Sequence, residues 1–415
     1  MKSDLTRLME RENIDALWVT GAGKHNPAMM YLTGGANLGQ AELILKRGEE
    51  PVLFCRSMER DEATSTGLNT IIIEKYNFGK LLQETNGDEN KAKALLRKKM
   101  LDDLNISKGR IAIYGKTELS AMFGVFLELQ DLLPEVHIIG EGLNSILMEA
   151  RATKDEDEIQ RIRKMGESTI EVVGKTASYL QNCQIREDEV LLREDGKAVT
   201  VSDVKSKINI WVLELDGEIP KEPVFAIGRD AGIPHSVGKP EDEIRLGKTI
   251  VFDIFPQETG GGYFFDFTRT WCLGYAPEAE TKLYQDVKSV YDTIMDELVM
   301  DAHAPVYQDR TCQLFEEQGH KTIRQDHQLE SGYVHGLAHG LGLDVHERPW
   351  FGKDANSEDI LSPGSVVTIE PGLYYPEKGM GCRIEDPVWV RPDGTMEVLV
   401  EYPHDLVLPM KNWKK

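Results

Sequence analysis

VFDIFPQETGGGYFFDFTRTW, residues 251–271, decides how the chain reads. It has the form of two strands joined by a glycine-rich turn, Gly260 to Gly262. Val251, Phe252, Ile254 and Phe255 surround one carboxylate, Asp253, and Tyr263, Phe264, Phe265 and Phe267 surround another, Asp266. A carboxylate among large apolar side chains is costly unless something pairs it. Two on neighbouring strands repel unless a cation lies between them. The plainer alternative puts both Asp residues at turn or edge positions.

A second stretch repeats the layout: GSVVTIEPGLYYPEKGMGCRIEDPVW, residues 364–389. Gly247 stands six residues before Asp253, as Gly364 does before Glu370; Asp253 and Asp266 are thirteen apart, Glu370 and Glu385 fifteen. Each unit is a buried-type strand ending in a carboxylate, a glycine-containing turn, and a returning strand with another carboxylate. Two similar halves supplying two acids each would form a pseudo-symmetric metal cradle, a repeat too short for a repeat array.

Between the two units lies HGLAHGLGLDVHERP, residues 335–349, with His335, His339 and His346, three of the ten histidines. Gly336, Gly340 and Gly342 argue against a helix there, so an extended or looping backbone is expected. His235 closes another turn-rich segment, Gly228 to His235, where an imidazole could face a cleft. One His and four carboxylates make a mostly oxygen ligand set, suited to a pair of hard or borderline divalent ions such as Mn²⁺, with Co²⁺, Fe²⁺ or Zn²⁺ as alternatives, rather than to a thiolate zinc site. Strand alternation sets Cys382 in the core and Arg383 on the face of Glu385; it turns Arg269 away from Asp266, Thr268 and Thr270, toward a structural ion pair.

The 415 residues suggest roughly two to three domains. A net charge of −22 argues against nucleic acid or an anionic membrane as partner. No apolar run is long enough to span a bilayer, and residues 1–20 are charged and interrupted, unlike a signal peptide. Five scattered cysteines without CxxC suggest a reducing, cytoplasmic setting. Gly21 to Lys24 resembles a phosphate loop only faintly: Trp18 stands where the first Gly is required, and His25 where Ser or Thr is.

Outward from the carboxylate units, residues 1–150 read as an α/β domain. A hairpin over Gly48 is expected, with further strands at Ile71–Ile73 and Ile111–Tyr114 and helices near 90–103 and 117–132. Thr153 to Glu156 fits a capping box that opens a long helix and a second domain, 151–415. That domain reads as α+β, with helices over Leu283–Leu298 and near 308–319; residues 184–220 are ambiguous.

The ordered set of His235, Asp253, Asp266 in DFTRT, His339 in HGLG, His346 in HERP, Glu370 in EPG and Glu385 in RIED resembles the M24-type pita-bread metallopeptidases, within them the Xaa-Pro aminopeptidase and prolidase branch. LMERENIDALWVT and YLTGG resemble that branch's creatinase-like N-terminal domain more weakly. One departure is a longer turn after Asp253, where the family often has Asp-x-Gly and two fewer residues before the second ligand. The resemblance implies that Asp253, Asp266, His339, Glu370 and Glu385 bind two metals, and that a bridging hydroxide attacks the scissile carbonyl. It gives Glu370 proton transfer, and His235 and His346 the carbonyl or tetrahedral stage. His335 and Arg383 line the same pocket as substrate-binding residues, although Arg383 could instead orient a ligating carboxylate. The expected substrate is a peptide with proline second, cleaved by an aminopeptidase or, alternatively, a dipeptidase. The aminopeptidase is preferred because no cation beyond Arg383 stands near the motifs to hold a dipeptide's C-terminus. The branch is often dimeric, which makes a homodimer the expected assembly. A non-catalytic binding module of this fold, or a metal-free hydrolase of the creatinase kind, would be expected to lack the full ligand set.

Overall fold

The computed structural model describes residues 4–413. The chain divides into two compact units, Met1–Arg151 with Gly260–Gly262, and Ala152–Thr259 with Tyr263–Lys415. The glycine turn, which in sequence belongs with the carboxylate strands, groups with the first unit, where the His25 N–H donates to the Gly260 carbonyl at 2.9 Å.

The first unit is a six-stranded mixed sheet in the spatial order Asn69–Ile72, Val52–Cys55, Ala41–Lys46, Ala16–Gly21, Gly109–Tyr114, Val136–Gly140. Ala41–Lys46 runs antiparallel to both its neighbours; the remaining pairs are parallel. The strand Ala16–Gly21 is buried along its whole length, as a central strand must be. Helices Glu89–Asp103 and Leu119–Leu132 contribute Met100 and Leu129 to the same core as Trp18 and Phe54. The Trp18 indole N–H donates to Glu42 at 2.7 Å, and Glu42 also pairs with Arg97, so this buried carboxylate is satisfied on both oxygens.

The second unit opens with the helix Glu156–Asn182. Its cap is two residues later than the sequence spacing suggests. Asp155 accepts from the Glu158 N–H at 3.1 Å and Glu158 from the Asp155 N–H at 2.9 Å. Thr153 is instead in a β-bridge with Ser365, which keeps its backbone extended and moves the first helical turn onward. Ile159, Ile162, Met165, Val173, Ala177 and Leu180 are buried along one face. Gly166 on that helix lets Phe265, next to Asp266, approach: a Cβ there would lie 2.4 Å from the ring. The ambiguous stretch contains a capped helix, Val201–Glu214, with Thr200 and Asp203 as reciprocal partners. Helices Glu278–Glu297 and Pro305–Glu317 carry much of the remaining core.

Two sheets hold the carboxylate units. The first has the order Val224–Ile227, Thr249–Ile254, Phe267–Leu273, Val407–Leu408. The second runs Glu347–Trp350, His339–Gly340, Val366–Ile369, Asp386–Val390, Met396–Val398. In both, the two middle carboxylate-bearing strands pair antiparallel, with Asp253 opposite Thr268 and Ile369 opposite Asp386. The Glu385 N–H donates to the Thr268 carbonyl at 3.1 Å and bridges the sheets where the acids converge. Arg269 fastens the same junction. It pairs with Asp386 at 2.8 Å and donates to the Glu385 carbonyl at 2.9 Å, fully buried.

Candidate metal centre

Each unit places its acids at strand ends, where backbone pairing holds them but side chains are free to turn inward. Asp253 is the fifth residue of Thr249–Ile254, and Asp266 immediately precedes Phe267–Leu273. Glu370 immediately follows Val366–Ile369, and Glu385 precedes Asp386–Val390. His339 comes from a two-residue strand in the glycine-rich segment, which is extended as expected. Gly342 in that segment leaves space for Glu347: a Cβ would lie 1.9 Å from its Oε1, which pairs with buried Lys154. All five residues line one cavity of about 570 Å³, and His235, His335, His346 and Arg383 line it too. Every site residue singled out from sequence therefore faces the same space.

The distances are those of a cradle rather than of ion pairs. His339 Nε2 lies 3.7 Å from Asp266 Oδ2 and 3.5 Å from Glu370 Oε1. Asp266, His339 and Glu385 each offer a ligand atom, all within 4.8 Å of one another. Asp253 Oδ1, Asp266 Oδ1 and Glu385 Oε1 are buried without a hydrogen-bond partner. A buried carboxylate oxygen is normally satisfied, and leaving one bare costs on the order of 1–3 kcal/mol or more for a charged group. Three such oxygens lining one cavity, with an imidazole, fit divalent cations: the donors are hard oxygens and borderline nitrogen, with no thiolate. Cys382, the nearest tempting sulfur, is buried in the core, its thiol pushed up to about 12 by burial.

The electrostatics agree. Burial, then the neighbouring Asp253 charge, pushes the Glu385 carboxyl up to about 8. Burial and the charge of Glu385 raise Asp266 and Glu370 well above the carboxylate range. Burial, then His346, lowers the His339 imidazole to about 3, holding it in the neutral form that can ligate. So many buried acids lining one cavity do not all ionise without cations to match them.

The surrounding groups fall into two sets. Arg383 is buried and committed within the chain. Nη2 donates to Asp253 Oδ2 at 2.5 Å, Nη1 to the Tyr374 hydroxyl at 2.6 Å and the Pro234 carbonyl at 3.3 Å, and Nε to Thr268 Oγ1 at 3.2 Å. Its carboxylate partner is thus Asp253, while Glu385 accepts from Thr268 Oγ1 at 2.7 Å. His335 is engaged on both nitrogens, with the Gly336 carbonyl at 2.7 Å and the Tyr374 hydroxyl at 2.8 Å. Burial and Arg383 bring its imidazole down to about 3. His235 and His346 form the second set: both are exposed, and among the described residues neither makes a hydrogen bond. The His346 ring stands edge-on to His339, with centroids 4.3 Å apart. Three contributors were not singled out from sequence. Thr268 and Tyr374 sit inside the quoted motifs, but their bonds reach across sheets. Lys221 lies outside every motif, yet it also lines the cavity, so Arg383 is not the only cationic residue there.

Comparison with known proteins assigns the class. The family described as metallopeptidase family M24 matches residues 160–392, more than half of the chain, and the chain belongs to that family. It is 28% identical over 294 residues to the "Probable dipeptidase PepE" of Mycobacterium tuberculosis, covering 70% of this chain and 72% of that protein. It is 23% identical over 395 residues to the Pyrococcus horikoshii "Xaa-Pro dipeptidase", covering 94% of each. A crystal structure described as a dipeptidase from Pyrococcus horikoshii superposes with a TM-score of 0.76 at 24% identity, over 98% of this chain and 99% of that one. The likeness establishes the fold: an α+β protein whose second unit has the pita-bread architecture. The chain is a metallopeptidase-class enzyme with a candidate metal-binding cluster. Among the described residues no helix is long and apolar enough to cross a membrane.

Proposed function

We propose that this chain is a dinuclear metal-dependent peptidase that hydrolyses Xaa-Pro dipeptides. The observation that carries the reading is the convergence of Asp253, Asp266, His339, Glu370 and Glu385 with three bare carboxylate oxygens between them. These five would hold two divalent ions, Mn²⁺ first among the candidates, which when bound supply Lewis acidity and water activation. Glu370 takes the proton of the attacking water and passes it to the departing nitrogen. A proline nitrogen carries no N–H, so shape and side chains must hold the ring and carbonyl. His235 and His346, whose ring nitrogens have no hydrogen-bond partner among the described residues, donate to the carbonyl oxygen as charge develops on it. Arg383 positions Asp253, and through Tyr374 it also orders His335, which walls the pocket.

The dipeptidase is favoured over the Xaa-Pro aminopeptidase expected from sequence. Curated relatives carry dipeptidase names, and the ground for the aminopeptidase, the lack of a cation beyond Arg383, is weakened by Lys221. We further propose a cytoplasmic homodimer whose residues 1–150 form a creatinase-like domain, joined at 151 to the catalytic one. The test is turnover of Ala-Pro, Ala-Ala and Ala-Pro-Ala by Mn²⁺-loaded protein, with and without chelator. Chelator-sensitive cleavage concentrated on Ala-Pro is expected. Preference for the tripeptide would restore the aminopeptidase, and equal cleavage of Ala-Ala would remove the proline claim.

A further inference from the structure

We propose that the Lys221 ammonium binds the free C-terminal carboxylate of a two-residue substrate and so limits this site to dipeptides; the inference rests on the peptidase reading above. Lysine or arginine lines the cavity at two positions, Lys221 and Arg383. Arg383 cannot turn to a substrate without stripping Asp253 of its 2.5 Å partner inside a buried site. Lys221 has no such commitment: it is exposed, and among the described residues it makes no hydrogen bond or ion pair. The acid beside it does not neutralise it, because Glu222 pairs with Lys205 at 2.7 Å. Lys221 and His346, one of the two open imidazoles, line the same cavity.

The mounting of Lys221 suits an anchor. It stands between Pro220 and Pro223, whose rings fix φ and stiffen the segment. Just upstream, Gly217–Glu218 pairs antiparallel with Gln257–Glu258, and Gln257 Nε2 donates to Glu218 Oε1 at 2.6 Å. Gln257 and Glu258 belong to the longer turn after Asp253, so that turn braces the loop that carries the lysine. On the other side, Val224 begins a strand whose first residue pairs with Asp253 itself. Lys221 is therefore tied upstream to the turn that follows Asp253 and downstream to the strand that bears it.

The chemistry follows from charge. Two divalent ions would match the four acids of the cradle, so none of those acids is left over to pair with Lys221. A dipeptide presents a carboxylate one residue beyond the scissile bond; a longer peptide presents a neutral amide there. A charge-assisted hydrogen bond to the carboxylate contributes to binding of the first and not of the second.

The experiment compares wild type, Lys221→Gln and Lys221→Arg, all Mn²⁺-loaded, on Ala-Pro and on its C-terminal amide. Wild type should prefer the free acid. Lys221→Gln should raise KM for Ala-Pro about 10- to 100-fold, toward that of the amide, with kcat much less affected. Lys221→Arg should keep the preference. An equal loss on acid and amide, no change in Lys221→Gln, or a wild type that cleaves acid and amide alike would each overturn the proposal. Failure of the proline reading is separable: if Ala-Ala is cleaved as well as Ala-Pro, the acid-to-amide comparison is made on Ala-Ala and its amide with the same expectations. If no dipeptide is cleaved, both readings fall.

Discussion

Glu385 and Asp386 are neighbours in sequence, both almost wholly buried, and they live in opposite worlds. Asp386 has Arg269 at 2.8 Å, the Tyr291 hydroxyl at 2.7 Å and His404 Nε2 at 3.0 Å. The Glu385 carboxylate accepts one hydrogen bond, from the Thr268 hydroxyl, and keeps one bare buried oxygen. The same contrast separates two regions of the second unit. In the scaffold, buried charges are matched inside the chain, as with Arg348 and Asp359 or Lys154 and Glu347. In the cradle four acids share one internal cation, Arg383, which pairs with Asp253, and the other three have no cation of their own among the described residues. A fully matched buried charge fixes structure; a set left unmatched together waits for something from outside.

That contrast can be broken by mutation. The largest expected effect is at Glu370. Glu370→Gln keeps the side chain's volume and should lower kcat about 10²- to 10⁴-fold while leaving the fold intact. Kinetics beside circular dichroism would check this, and a variant that retains activity would remove Glu370 from the chemistry. Arg269→Met should do the reverse. It leaves Asp386 buried without its cation and should cost about 3–5 kcal/mol of stability, read by denaturant unfolding, with specific activity of the folded fraction largely preserved.

A smaller effect is expected at Arg383, on the border between the regions. Arg383→Lys keeps the charge but loses the planar reach to both Asp253 and Tyr374. Metal affinity should weaken about 10- to 100-fold, as for other groups that orient a ligand, and chelator competition would measure it. The subtlest expectation concerns pH. The Glu385 carboxyl titrates near 8 in the folded, metal-free protein against an ordinary value of 4.5. A raised folded pKa means that its favourable contribution is complete below about 4.5 and lost as pH rises through about 8. Metal should therefore stabilise the protein more at pH 8 than at pH 5, seen as a larger rise in Tm on adding Mn²⁺. An equal rise at both would mean that the cradle acids are not what the metal relieves.

How much of this was legible in the sequence depends on the range of the interaction. The carboxylate strands, their glycine turns and the non-helical histidine segment are local patterns, and the structure keeps all of them. Cys382 in the core and Arg269 turned toward an ion pair both follow from strand alternation, because alternation is a property of the backbone alone. What escaped was pairing at a distance. Arg383 could not be assigned to Asp253 rather than Glu385, because that choice depends on how two sheets meet. Lys221 carries no motif and is placed by a strand pair with the longer turn. The cap moved from Thr153 to Asp155 because a bridge to Ser365, far along the chain, holds Thr153 extended. The helix Val201–Glu214 was hidden because charged residues crowd its narrow buried stripe.

The most direct test of the central claim is metal stoichiometry on the full chain. Protein stripped with chelator and dialysed against Mn²⁺ should bind about two ions per chain by elemental analysis, with activity returning in step with occupancy. Asp266→Asn should bind fewer while remaining folded. Full peptidase activity in a preparation with no bound metal, or unchanged stoichiometry in Asp266→Asn, would contradict the reading of these unmatched acids as a metal cradle.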